Sequence, residues 1–308
     1  MGFRTRLEGA GLSSRVRRRR VSRQRLLWMP FGLLSVLAGP GLATYSVAQT
    51  VAAAEPSGHV WLDTKGAPLP FQGDDEVLEF LRTAKVVSRK EIKEGLNRPL
   101  LLLLEHEGAR ARAILRWAKS RKRRTRVGGR YYGRYLDHYA SDCAAYDLAR
   151  QLGIDTVPPT IIRRIGVKDG SLQVWVEGAR DETASAFRPR SPIRWVKQQW
   201  EMDLFDNLIF NADRNSTNVI AGQGEDFWLT DHGRAFQPKA ELLSPEKLKM
   251  INRQIWDRLQ ALSDEELKDI VREHLDTEQL KSLVKRRELL VELVERLVAE
   301  KGEAKVFY

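Results

Sequence analysis

One cysteine, Cys143, is all that the 308 residues contain. A lone cysteine closes no internal disulfide and builds neither a zinc site nor an iron–sulfur cluster. It reads as a small buried apolar side chain. The five histidines, at 59, 106, 138, 232 and 274, share no metal-ligand spacing. Ser141 has no paired base in reach, so nothing points to a hydrolase. No lipid-attachment cysteine follows the leader, and no internal repeat is evident. Acids are scarce in two stretches. The first 25 residues hold nine arginines against Glu8 alone, and residues 110–134 hold eleven cations and no acid. Between Arg25 and Glu55 there is no charge of either sign.

These gaps locate the net charge of +11. Eight of those charges sit in the first 25 residues, so the basic balance belongs mainly to the leader and not to the folded body. The remaining composition, 42% hydrophobic and 30% charged, is that of a globular chain and excludes a disordered or multispan membrane protein. The length suffices for one large or two medium domains.

Leu26 to Leu37 is an apolar run, broken by Gly39-Pro40-Gly41 and followed by small residues in Ser46-Val47-Ala48 and Ala52-Ala53-Ala54. A basic region, an apolar region and small residues at a cut predict a secretory signal peptide over 1–54. An uncleaved signal anchor is the other reading, although the run is shorter than the ~20 residues of a span. Both send the body out of the cytoplasm, so the expected location is extracytoplasmic, periplasmic or secreted. A buried helix of the domain fits the arginine flank poorly.

Residues 55–75, rich in Pro, Gly and Asp, read as a linker. Asp74 to Ala84 has helical spacing. Pro99–Glu105 and Ala111–Trp117, around Glu105-His106-Glu107-Gly108, predict a β-hairpin. Ser141 to Leu152 predicts a helix stopped by Gly153. Val157–Ile162 and Ser171–Val176 predict two more strands around a turn at Gly170. From Ile193 onward helices dominate: Trp195–Phe210, a capping box at Ser263-Asp264-Glu265-Glu266, and a long helix over Glu278–Glu300. The expected class is α+β and bilobal, with a sheet-containing N-lobe over 76–178 and a helical C-lobe over 179–308.

The chemistry concentrates in residues 203–236. An apolar helix end at Leu208-Ile209-Phe210 delivers a polar loop with Asp213 and, five residues on, Asn218. Val219-Ile220 starts a strand, Gly222 to Gly224 turns it, and Phe227-Trp228-Leu229 returns to Asp231. The hairpin brings Asn218 and Asp231 side by side, with Asp213 on the incoming loop. Oxygen ligands without His or Cys select hard cations such as Mg²⁺ or Mn²⁺. An Asn and an Asp on the metal, with a separate Asp facing an acceptor hydroxyl, is the division of labour that phosphoryl transfer needs. The same residues also suit a turn-rich loop in which Asp and Asn only cap and turn.

LIFNADRNSTNVI followed by LTDHGRAF resembles the atypical kinases: the Golgi secretory-pathway kinases of the four-jointed type, the HipA-like kinases and, more distantly, the phosphatidylinositol kinases. Ser141–Tyr146 and LGIDTVPPTIIRR extend the resemblance to the secretory group over roughly residues 80–240. It is similar above all to uncharacterised bacterial exported relatives. The resemblance implies a kinase-like fold, ATP or another nucleoside triphosphate, and Mg²⁺ or Mn²⁺. It implies Asp213 as the catalytic Asp, Asn218 and Asp231 as metal ligands, and Asp142 as the helix acid that pairs with the N-lobe base. Arg116 stands where the phosphate-binding lysine is expected, with Lys119 next. Asp142 stands for a glutamate and Asn215 for a histidine. Arginine lacks the compact geometry of lysine.

Lys119 to Arg126 reads as a basic loop that either docks a polyanion or is simply solvated. For an exported chain an anionic polysaccharide or membrane surface is the expected partner, and nucleic acid is not. Tyr131, Tyr132 and Tyr135 either stack on sugars or pack in the core. Two functions follow. One is an exported phosphotransferase acting on a hydroxyl of a protein or glycan. The other is a weak or inactive kinase-fold module that docks an anionic surface through the basic loop.

Overall fold

The computed structural model describes residues 59–93, 98–181, 191–222 and 227–308. The leader, the first residues of the expected linker and the tip of the expected Gly222–Gly224 turn lie outside them. Among the described residues no helix is long and apolar enough to cross a membrane.

The N-lobe begins with helix α1, Asp74–Thr83. Its acids Asp74, Asp75 and Glu76 fill the first turn, where the helix dipole favours them. Val77, Leu78, Phe80 and Leu81 form its buried face. Strands β1 (Lys85–Glu91), β2 (Leu100–His106) and β3 (Ala109–Arg116) follow. The leucine run of β2 buries Leu102 and Leu104 completely, as the two-residue period of a strand requires. Strands β4 (Lys119–Val127) and β5 (Arg130–His138) lead into helix α2 (Ala140–Leu152). Strands β6 (Thr160–Ile165) and β7 (Lys168–Val174) complete an antiparallel sheet in the order β1-β2-β3-β7-β6.

The chain then enters a small sheet, β10-β9-β8, formed by Arg180–Asp181 (β8), Val219–Ala221 (β9) and Phe227–Leu229 (β10). Helix α3 (Pro192–Ile209) precedes β9. Helices α4 (Arg253–Ala261), α5 (Asp264–Val271), α6 (Thr277–Lys301) and α7 (Glu303–Val306) follow β10. The capping box at Ser263 and Glu266 is present, and Asp276 and Gln279 form a second one at the start of α6. Arg286 of α6 is fully buried. It donates to the carbonyls of Leu208, Gln237 and Lys239, so it ties α6 to the end of α3 and to the loop after β10.

Three expectations are corrected. Residues from His59 on are packed and are not a linker: Trp61 and Leu69 are buried, and His59, Trp61 and Trp228 form an aromatic cluster. Trp and Leu in a Gly/Pro-rich stretch provided the apolar area. The β6–β7 turn lies at Gly166, with φ 63°, and not at Gly170. Gly170 sits inside β7 because a Cβ there would stand 2.3 Å from the Arg116 carbonyl oxygen. The basic stretch 119–126 is strand β4, not a loop. It pairs with β5 through Gly128-Gly129, whose φ values of 55° and 79° match a type I′ turn.

Candidate functional site

Helix α3 ends at Phe210, which takes the left-handed conformation at φ 48° and turns the chain out of the helix. Asn211 is held by Asp206, to whose carboxylate its amide donates at 3.1 Å. The loop then passes Asp213 and enters a short 3-10 turn, Ser216–Asn218. Asn215 caps this turn by accepting from the Thr217 N–H at 3.0 Å. The Asn218 side-chain amide donates to the Asp213 carbonyl at 3.0 Å, which directs its Oδ1 away from the loop. Strand β10 returns beside β9, and Thr230 N–H donates to the Asn218 carbonyl. Asp231 follows in a left-handed conformation, φ 55°. A non-glycine residue held there is strained, which is common at ligand sites.

Arg214 fastens this loop. Its guanidinium makes a two-pronged pair with buried Asp206 at 2.8 and 3.2 Å. It donates to the carbonyls of Asn218 and Thr230 at 2.8 and 3.0 Å and reaches Nε2 of His232 at 2.9 Å. His232 is completely buried. Burial and the nearby Arg214 push its pKa well below the usual imidazole value, so the ring is neutral. Arg234 does for Asp213 what Arg214 does for the backbone. It donates to Asp213 Oδ2 at 2.9 Å and to Asp137 Oδ2 at 3.0 Å. Burial raises the pKa of Asp213, Arg234 lowers it, and the nearby carboxylates of Asp231 and Asp137 raise it again, with a net upward shift.

Asp142, from the first turn of α2, is fully buried. Its Oδ1 accepts the His232 backbone N–H at 2.7 Å and its Oδ2 accepts the Ser171 hydroxyl at 2.7 Å. Burial pushes its pKa up to about 6, with Arg116 opposing and Asp231 adding to the rise. The hydrogen-bonded pair expected between Arg116 and Asp142 is thus replaced. Arg116 donates to Gln173 Oε1 at 3.2 Å and acts on Asp142 only through space. Asp142 is one methylene shorter than a glutamate, and it is satisfied by the DHG backbone and Ser171.

The structure therefore brings together Asp213, Asn218, Asp231, Asp142 and Arg116. Lys119 is not bonded to this group and stands beside it. It pairs with His138 at the root of the β4–β5 hairpin and lines a cavity of about 380 Å³ with Arg121, Arg134 and His274. Sequence reading missed the anchoring roles of Arg214 and Arg234, although both adjoin the motifs. An arginine beside each acidic motif was the available signal.

The donor set suits a hard divalent cation. Asn218 presents an amide oxygen and Asp231 a carboxylate. Gly233 lets the backbone pass close to these carboxylates: a Cβ there would stand 3.7 Å from Asp231 Oδ1 and be crowded at 3.2 Å from Asp137 Oδ1. Among the described residues no three His, Cys, Asp or Glu side chains group tightly enough to hold a metal by themselves. Mg²⁺ in phosphate chemistry is held in that way, by one or two carboxylates with phosphate oxygens and water.

No protein-family model and no curated protein sequence matches this chain. Solved structures do. A hydra Fam20 structure with sugar is similar at TM-score 0.58 and 16% identity, over 80% of this chain and 96% of that one. The Golgi casein kinase is similar at TM-score 0.55 and 13% identity, over 76% and 77%. The same kinase with Mn/ADP bound is similar at 0.55 and 12%, over 76% and 78%. The fold is the atypical kinase-like fold: α+β, with a sheet-bearing lobe and a helical lobe.

Proposed function

We propose that this chain is an exported, metal-dependent phosphotransferase that moves the terminal phosphoryl group of ATP, or another nucleoside triphosphate, to a hydroxyl of a protein or glycan. One observation carries the reading. Asp213, Asn218 and Asp231 are fastened into one centre by Arg214 and Arg234, with the backbone at Gly233 close against the Asp231 carboxylate. The Mn/ADP-bound state of the structurally similar kinase supports the choice of nucleotide and metal. The arginine-rich, then apolar, then small-residue leader supports export.

Asn218 and Asp231 would hold Mg²⁺ or Mn²⁺, which supplies charge neutralisation on the phosphates. Asp213 takes the acceptor proton. Its partial burial raises its proton affinity, and Arg234 keeps its carboxylate oriented. The acceptor oxygen bonds to the γ-phosphorus, the bond to the bridging oxygen breaks, and the diphosphate leaves. Arg116 acts on phosphate charge from the end of β3, while Asp142 and Ser171 hold α2 and β7 against the DHG loop. Most of the rate then comes from positioning and electrostatics.

The test is transfer of labelled γ-phosphate, or nucleotide hydrolysis, by the purified chain with Mn²⁺. Wild type should turn over, and Asp213→Ala should lose activity while keeping Mn-ADP binding. Equal activity in wild type and Asp213→Ala contradicts the reading. Sequencing the N-terminus of the chain recovered from its host tests export: a start within residues 49–60 is expected, and a cytoplasmic chain retaining the arginines contradicts it.

A further inference from the structure

We propose that the outward side of the β4–β5 hairpin is a docking track for an anionic polysaccharide, leading it to the candidate site. The glycan's role as acceptor rests on the phosphotransferase reading; the docking itself does not.

The cations of the hairpin divide into two groups. Arg121 and Arg134 pair with Asp276, Arg134 also pairs with Glu278, and Arg130 pairs with Glu241. Lys122, Arg123, Arg124 and Arg126 are exposed, and among the described residues none has a carboxylate within 4.0 Å. The ribbon that carries them is anchored. Tyr132 and Tyr135 are buried with Phe210, and the Gln237 side chain both donates to and accepts from the Leu136 backbone. The register opposes Arg123 to Arg134, and like charges directly across a strand pair repel. Arg124 is held at φ 45° and is left out of the β4–β5 ladder between Arg123 and Thr125. Asp276 and Glu278 offset Arg134, but no described carboxylate offsets Lys122, Arg123, Arg124 or Arg126, and an external polyanion would.

The shape favours a sugar chain over a compact anion. Arg126 stands across from Tyr131 on the solvent face near the hairpin tip, whereas Lys122 stands across from buried Tyr135, on the other side of the left-handed Arg124. Tyr131, paired with Arg126 on the solvent face, is 52% exposed, whereas Tyr132 and Tyr135 are core. The three tyrosines thus divide between the two roles open to them. Near Tyr131, a Cβ on Gly133 would meet nothing within 4 Å, so the space there is open. An exposed aromatic face next to cations fits the apolar face of a sugar ring bearing carboxylate or sulfate. At its root the hairpin reaches the candidate site. His138 N–H donates to the Gly233 carbonyl at 2.8 Å, and Asp137 shares Arg234 with Asp213.

The test measures binding of the full chain to polygalacturonate and heparin. It compares wild type, a Lys122→Ser/Arg124→Ser/Arg126→Ser triple variant and Tyr131→Ala, with the Mn-ADP thermal shift recorded for each. Wild type should bind at least one glycan. The triple variant should lose that binding and its salt dependence. Tyr131→Ala should weaken it with salt dependence retained. Neither variant should change the Mn-ADP shift. Glycan binding of this kind with no Mn-ADP shift in any protein supports the track and contradicts the transferase reading. Absence of glycan binding by wild type with the Mn-ADP shift intact overturns the track. So does equal binding of phosphatidylglycerol vesicles or polyglutamate with no effect of Tyr131→Ala.

Discussion

The Asp142 carboxylate accepts the backbone N–H of His232 at 2.7 Å, so the first turn of α2 is bonded directly to the loop that carries Asp231. In this chain the helix acid reads the position of the DHG loop, and Ser171 of β7 closes the other side of the same carboxylate. The two lobes are therefore linked at the candidate site through one buried aspartate.

That aspartate gives a pH signature. Its folded pKa, about 6, lies above its ordinary value of 3.8. Between those values the folded state holds more protons than the unfolded state, so this group's contribution to stability falls as pH rises from about 4 to 6. Asp142→Asn removes that titration. Chemical denaturation at pH 4, 5, 6 and 7 should show the Asn variant gaining on wild type across this window and running parallel to it above. Parallel curves throughout contradict the assignment.

Arg214 is the structural pin. Arg214→Ala leaves Asp206 buried without its cation and frees the carbonyls of Asn218 and Thr230. Removing one partner of a buried pair costs about 3–5 kcal/mol. Lysine should rescue little of it, because the two-pronged geometry is lost. Urea unfolding checks this, and a loss under about 0.5 kcal/mol would place Arg214 outside the core of the site.

Arg286 makes the same point at the far side of α3. It is fully buried, burial lowers its pKa to about 9, and its Nε and Nη1 donate to three backbone carbonyls. Arg286→Met should destabilise the chain by roughly 2–4 kcal/mol by leaving those carbonyls unpaired. A neutral or stabilising effect in urea unfolding would show that the carbonyls find other partners.

Gly233 separates folding from binding. Its Cβ space borders Asp231 and Asp137. Gly233→Ala should keep stability within about 1 kcal/mol of wild type and lower Mn-ADP affinity by about 10–100-fold. Calorimetric titration with Mn-ADP reads this, and unchanged affinity contradicts a cation beside Gly233.

The long periodic elements were legible: the leucine strands, α2 with its Gly153 stop, the capped α5 and the long α6 all follow from apolar spacing. The polar loop could be read because Asp213, Asn218 and Asp231 sit at fixed offsets around a hairpin. Other features lacked such a signal. Strand β4 carries cations on both faces, which erases alternation, and only Gly128-Gly129 announced its turn. Strand β1 is largely exposed and has too little apolar area to show a period. Arg286 sits in an amphipathic helix and looks like a solvent-facing residue until the carbonyls it satisfies are in place. The bond between Asp142 and His232 joins residues 90 positions apart through a backbone N–H, which no side-chain pattern reveals.

The central claim is tested most directly by the thermal stability of wild type and Asp231→Ala with and without Mn-ADP. Ligand at about a hundredfold over its Kd adds about 2.7 kcal/mol of stability. In a domain of this size that raises Tm by roughly 5 °C or more. Wild type should show the shift and Asp231→Ala should lose it. No shift in wild type, or the same shift in both, contradicts a metal-nucleotide centre built on Asp231.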